Sequence, residues 1–132
     1  MNKQYIIEFL KNNDLTEIVE IEYKKGTIAF KFKYYYDNVE MEAATSYANE
    51  EGNFEQEKED WYEEFFLPYL SDIAADNVED IMEECTEKLD IEYEFIGCDI
   101  SQDEYEFNEF AVVFYSKDAN IEIDDILMEL DL

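Results

Sequence analysis

The sequence predicts an α+β domain in which a three-stranded antiparallel meander and a second β-hairpin are packed by three to four acidic amphipathic helices. Three observations carry that prediction. Apolar and polar residues alternate over 17–46 and again over 91–115, with turn residues between the alternating runs. Apolar residues recur at helical spacing over 2–13, 54–66, 77–89 and from 120 onward. The 132 residues suit one domain, 1–132, and no Pro-, Gly- or Ser-rich linker divides them.

Taken in order, residues 2–13 place Tyr5, Ile6, Phe9 and Leu10 on one helical face, and Asn12-Asn13 close the segment. Val19, Ile21 and Tyr23 then alternate with Glu20 and Glu22 as a half-buried strand. A two-residue turn at Lys25-Gly26 pairs Tyr23 with Ile28, Ile21 with Phe30 and Val19 with Phe32, and sets Glu20 opposite Lys31. A second turn at Asp37-Asn38 brings Met41 to Tyr34 and Ala43 to Phe32, with Lys33 facing Glu42. This meander interleaves its lysines with the glutamates of neighbouring strands.

Asn53 is a suitable N-cap for a helix over 54–66, with Gln56 completing a capping box. Pro68 should end or kink that helix near Leu67. Asp76 caps a further helix, 77–89, whose stripe is Val78, Ile81, Met82, Cys85 and Leu89. Residues 91–98 and 105–115 form the second hairpin around an acidic loop, Asp99 to Glu104. Asn120 opens a last helix carrying Ile123, Ile126, Leu127 and Leu130.

Composition removes several functions. Without histidine, Ser-His-Asp triads and imidazole metal sites are excluded. Nine lysines and no arginine argue against direct binding to nucleic acid. No apolar run approaches the roughly 18 residues of a membrane span, and no signal segment opens the chain, so a cytoplasmic protein is expected. Cys85 and Cys98 lack metal-ligand spacing, and Cys85 belongs to an apolar stripe as a buried thiol. The segment from Asp118 partly fits an EF-hand loop, but Ile123 stands where the loop needs glycine. Carboxylates are so numerous that no pair stands out as an acid/base couple. No enzyme activity, metal or cofactor is implied.

The charge itself remains. Thirty-seven acids give a net charge of −28, several-fold beyond the magnitude of about 2–8 that solubility needs. Residues 1–36 hold six lysines and five acids, whereas residues 37–132 hold three lysines and 32 acids. Such a surface repels itself and costs stability. Duplex DNA carries about one charge per 1.7 Å of axis, and a helix rises about 1.5 Å per residue. Acids at about half the positions of 55–64 and 79–87 therefore approach a phosphate-like density. In size and charge, over residues 37–132, the chain resembles the small acidic DNA-mimic inhibitors of phages and mobile elements, the anti-restriction and anti-CRISPR proteins. That resemblance implies a non-enzymatic inhibitor, monomer or homodimer, seated in the basic channel of a nucleic-acid-binding protein such as a nuclease. The candidate contact residues are Glu55, Glu59, Asp60 and Glu63, then Glu79, Asp80, Glu83, Glu84 and Glu87, with Asp103 and Glu104 in the loop. The competing expectations are an immunity or antitoxin protein against a basic nuclease toxin, and an acidic module that binds basic proteins.

Overall fold

The computed structural model describes residues 2–52 and 60–118. Among them the fold is α+β: three α-helices and one four-stranded antiparallel sheet. The order along the chain is α1 (Lys3–Asn12), β1 (Thr16–Ile21), β2 (Thr27–Tyr35), α2 (Asn38–Glu51), a π-helical turn (Trp61–Phe66), α3 (Leu67–Leu89), β3 (Ile91–Gly97) and β4 (Phe107–Ser116). The strands lie in the order β1-β2-β4-β3. The second hairpin forms as expected, and its return strand β4 inserts beside β2.

That insertion fixes the core. Phe110, Val112 and Phe114 of β4 meet Phe32, Phe30 and Ile28 of β2 on one face of the sheet. Ile6 and Leu10 of α1 and Ala74, Val78, Met82 and Cys85 of α3 close over that face. The other face carries Ala29, Ala111 and Val113, all buried, with Ile21, Tyr23, Ile96 and Tyr115 around them. β4 is therefore apolar on both faces, which accounts for the unbroken run Phe110-Ala111-Val112-Val113-Phe114.

The third strand of the expected meander is a helix. Asp37 is the N-cap of α2, accepting from the Glu40 N–H at 2.7 Å while Glu40 accepts from the Asp37 N–H at 2.9 Å. This reciprocal capping box satisfies two donors at once and outweighs the Asp37-Asn38 turn reading. Ala44 and Ala48 are the buried residues of α2, and they pack with Trp61, Phe66, Leu67 and Leu70 in a second cluster. Met41 and Ala43 consequently do not pair with Tyr34 and Phe32. Glu40 also accepts from the Tyr34 hydroxyl at 2.5 Å, and Asn77 of α3 donates to that hydroxyl at 2.6 Å. One polar cluster thus ties the end of β2, the start of α2 and the middle of α3.

The first hairpin forms with its register moved by one residue. Ile21 lies opposite Ala29, Glu20 opposite Phe30 and Val19 opposite Lys31. The connection is a four-residue turn closed by the Thr27 N–H on the Lys24 carbonyl, and Gly26 takes φ +87 there. A shift of one residue exchanges faces. Ile21 and Tyr23 therefore join Ala29 on the second face, away from Phe30 and Phe32. An irregularity between Thr16 and Val19, with Glu17 at φ +50, lets Ile18 return to the main core. Lysines do alternate with carboxylates on the second face, but with other partners: Lys31 with Glu109 at 2.9 Å and Lys33 with Glu17 at 3.3 Å.

Nor does Pro68 end a helix. Leu67 donates to the Tyr62 carbonyl five residues back, so the turn before the proline is widened. Pro68 occupies the first turn of α3, where a missing N–H matters least. α3 runs unbroken over its 23 residues, and Asp76 lies within it rather than capping it. Asn53 and Gln56, and the expected last helix from Asn120, lie outside the described residues.

The capping box supplies the first prediction. Asp37→Ala should lower unfolding free energy by roughly 0.5–2 kcal/mol. Val39→Ala, one residue into α2 and 74% exposed, should change it by at most about 0.5 kcal/mol. Urea unfolding of both variants measures the difference, and equal effects would contradict the cap.

Candidate partner-binding surface

The buried side of α3 determines where its charge goes. Leu67, Leu70, Ala74, Val78, Met82 and Cys85 recur every three or four residues and face the core. Asp72, Asp76, Glu79, Asp80, Glu83, Glu84 and Glu87 are all exposed on the remaining arc. They form rows at i, i+4: Asp72-Asp76-Asp80-Glu84 and Glu79-Glu83-Glu87. At a rise of about 1.5 Å per residue each row repeats about every 6 Å, and the acids of the two rows together average about one charge per 3–4 Å of axis, a linear charge density near that of one DNA strand at roughly 3.4 Å per phosphate. Lys88 is the basic residue of the last turn, 3.5 Å from Glu84 and over the ring of Phe9 at 5.2 Å.

β3 extends this surface. Glu92 and Glu94 alternate with Tyr93 and Phe95, whose rings stack and pack against the main core. Burial pushes the Tyr93 hydroxyl up to about 12, and Glu83, Glu79, Glu94 and Asp80 add to that effect. The acids of α3 and β3 therefore bear on one tyrosine from two elements. Where α3 hands over to β3, Asp90 turns the chain at φ +56 and binds Lys117 at 2.6 Å. Glu83, Glu87, Asp90, Glu92 and Lys117 line a cleft of about 490 Å³ at that junction.

Of the residues expected from sequence, Glu79, Asp80, Glu83, Glu84 and Glu87 come together on α3. Asp60 and Glu63 are exposed but lie on the turns before Pro68, roughly 28 and 24 Å along the axis from Glu79. Asp103 and Glu104 are exposed in the β3–β4 loop, where Ser101 and Glu104 exchange backbone hydrogen bonds. Tyr105 of that loop packs on Phe66 and Tyr62, with centroids 5.1 and 6.0 Å apart, so the loop and the π-helical turn make a separate acidic patch. Glu55 and Glu59 lie outside the described residues. Asp72 and Asp76 are not among the expected contact residues, because the sequence signals of Pro68 and Asp76 place the helix start at 77, whereas α3 begins at Leu67. Glu92 and Glu94 were missed because their place at the sheet edge depends on strand order.

The lysines 31 and 33 lie on the second face, away from α3. A hydrogen bond to Glu17 holds the Lys33 ammonium above its usual range, and its side chain lies 4.3 Å from the centre of the Phe107 ring. Tyr35 is 49% exposed and donates to Glu17 at 3.0 Å. Cys85 is fully buried, and burial pushes its thiol up to about 11, as an inert core thiol requires. Among the described residues no group of three His, Cys, Asp or Glu side chains is placed to hold a metal ion, and no helix is long and apolar enough to cross a membrane. No known family, curated protein or solved structure matches the chain.

The raised tyrosine and thiol values give a pH prediction. Tyr93, Tyr34, Tyr36 and Cys85 each hold their proton more tightly when folded, chiefly through burial. Their stabilisation is complete below the unfolded values, 9.0 for the thiol and 10.0 for the phenols, and is lost as pH rises through the folded ones. The thermal midpoint should therefore fall progressively above pH 9, with tyrosinate absorbance delayed relative to the unfolded chain. A midpoint unchanged up to pH 11 would contradict the burial of these groups.

Proposed function

We propose that this protein is a non-enzymatic inhibitor that imitates nucleic acid and occupies the basic DNA- or RNA-binding channel of a nuclease or defence complex, in the manner of anti-CRISPR and anti-restriction proteins. The observation that carries this reading is the pair of carboxylate rows on α3, whose combined charge density along the axis is close to that of one DNA strand and which are held by a helix whose other side is locked in the core. Lysines and arginines that grip a phosphate backbone would meet the same density of negative charge here. Counterion release from both surfaces would drive association. The second acidic patch, around Asp60, Glu63, Asp103 and Glu104, would serve a longer channel. The partner in this reading is a basic cytoplasmic protein, and neither direct nucleic-acid binding nor a cofactor is required.

The rival reading is an immunity or antitoxin protein, whose interface would be fixed by an apolar hot spot. Val39 and Tyr47 of α2 are exposed apolar groups that could supply one, at 74% and 40% exposure.

Competition and salt separate the two. Duplex DNA should displace the protein from its partner, and affinity should fall by roughly 10³-fold or more between 50 and 200 mM salt if six or more charges are engaged. Reversing Glu79, Asp80, Glu83 and Glu87 together to lysine should abolish binding while the fold survives, because all four are exposed. Single reversals should cost roughly 1.5–3 kcal/mol where the contact is desolvated and less at the rim. The variants Lys31→Glu and Lys33→Glu should leave binding intact. Retained binding by the fourfold variant, with failure of DNA to compete, would transfer the assignment to the immunity reading and to Val39 and Tyr47.

A further inference from the structure

The four-stranded sheet ends in β1 on one side and β3 on the other, and the two edges are built differently. β1 is interrupted by the irregularity between Thr16 and Val19, carries Glu17 at positive φ, and is crossed by the Lys3–Glu20 ion pair at 2.6 Å. A bulge in the strand, with a charged pair laid across it, is one way proteins protect an edge from further pairing. β3 has neither device. Its seven residues pair with β4 in continuous register from Ile91↔Ser116 to Gly97↔Phe110.

The hydrogen-bond phase of that ladder identifies which groups face outward. Cys98 donates to the Glu109 carbonyl at 2.8 Å, continuing the register, and on the other side of β4 Tyr36 donates to the Glu106 carbonyl at 3.2 Å. In an antiparallel pair the bonded positions recur every second residue. Ile96, Glu94 and Glu92 are thus bonded to β4, while the N–H and C=O groups of Tyr93, Phe95 and Gly97 point away from the sheet. Among the described residues nothing pairs with those outward groups.

We propose that this edge accepts an added strand from a partner protein, an extended segment rich in lysine or arginine. The occupant follows from charge. Side chains of an added strand would alternate between the two faces of the sheet. On the helix side they would meet Glu79, Asp80 and Glu83, the acids that act on Tyr93. On the opposite side they would meet Glu94 and Glu92, which act in the same way on Tyr115. A basic strand is thus matched on both faces. A second copy of this chain, pairing through the same edge, would set Glu92 and Glu94 against their own counterparts and be repelled. The proposal takes from the mimic reading only a basic partner, and adds directional main-chain bonds to a surface otherwise defined by charge.

The probe is a twelve-residue peptide of alternating lysine and threonine, compared with an analogue of equal charge N-methylated at every peptide bond. In the free protein, amide exchange measured by NMR should be fast at Tyr93, Phe95 and Gly97 and slow at Glu92, Glu94 and Ile96. The peptide should slow exchange at Tyr93, Phe95 and Gly97 by at least tenfold, and the methylated analogue should bind at least tenfold more weakly. The double variant Glu92→Lys with Glu94→Lys should lose at least tenfold in affinity for the unmethylated peptide. Equal binding of the two peptides, or slowing confined to α3, would show attraction by charge alone and overturn the proposal. Slow exchange at the three amides in the free protein, together with a concentration-dependent dimer, would overturn it in favour of a second copy. Failure of duplex DNA to displace a nuclease partner would instead overturn the mimic reading and leave the edge untouched.

Discussion

Burial of β4 along both its edges and both its faces is the constraint from which the remaining elements follow. Its backbone groups are divided between β2 and β3, so neither neighbour can shift without breaking a full ladder. Large side chains, Phe110, Val112 and Phe114, fill the helix side, while Ala111 and Val113 keep the other side shallow. That division places α1 and α3 on the same face. It also requires α2 to pack elsewhere, beside the π-helical turn and the start of α3, where Ala44 and Ala48 allow close approach. The Tyr34–Glu40–Asn77 cluster joins the two packing regions through hydrogen bonds rather than apolar contact.

A core arranged in this way leaves few positions for 37 acids. Among the described residues, the outer arc of α3, the edge strand β3 and the loop before β4 are solvent-facing stretches rich in carboxylates, and α2 and the π-helical turn expose Glu42, Glu50, Glu51, Glu63 and Glu64 as well. The second face receives Lys31 and Lys33, neutralised by Glu109 and Glu17. Charge asymmetry along the sequence therefore becomes asymmetry along the sheet, with paired lysines on β2 and acids toward the β3 edge. The self-repulsion is borne by exposed side chains, where solvent screens it, and not by the packed interior.

Elements defined by their own residues were legible in the sequence; elements defined by distant partners were not. The α3 stripe and the β3–β4 hairpin rest on local periodicity, and both occur where that periodicity places them. The strand expected over 39–46 failed because alternation of Val39, Met41 and Ala43 competes with helical spacing of Met41, Ala44 and Ala48. The Asp37–Glu40 capping box decides between them, and its sequence signal, Asp followed three residues later by Glu, was present. The first hairpin slipped by one because a four-residue turn at Gly26 replaced a two-residue one, and because the irregularity at Glu17 returns Ile18 to the core. At the candidate surface, exposure of Glu79 to Glu87 follows from the stripe opposite them. The contribution of Glu92 and Glu94 does not, since nothing local reveals that β3 is an edge.

Helix and edge would make different demands on a partner. Carboxylates at the tips of flexible side chains attract any suitably spaced cations, and they discriminate poorly among basic proteins because each contact tolerates rearrangement. A strand edge behaves in the opposite way. Its donors and acceptors are fixed by β4, they recur at every second residue, and they accept only an extended backbone in registers that step by two residues. Charge on α3 and β3 would raise the rate of encounter, whereas pairing along Tyr93, Phe95 and Gly97 would slow dissociation. A surface that combines them can be attractive to many cationic proteins and retentive toward few. The position of α3 directly over β3 makes that combination available to a single bound segment, because the acidic arc and the edge strand are held together by one strip of core: Val78 and Met82 beneath the helix, with Tyr93 and Phe95 on the strand.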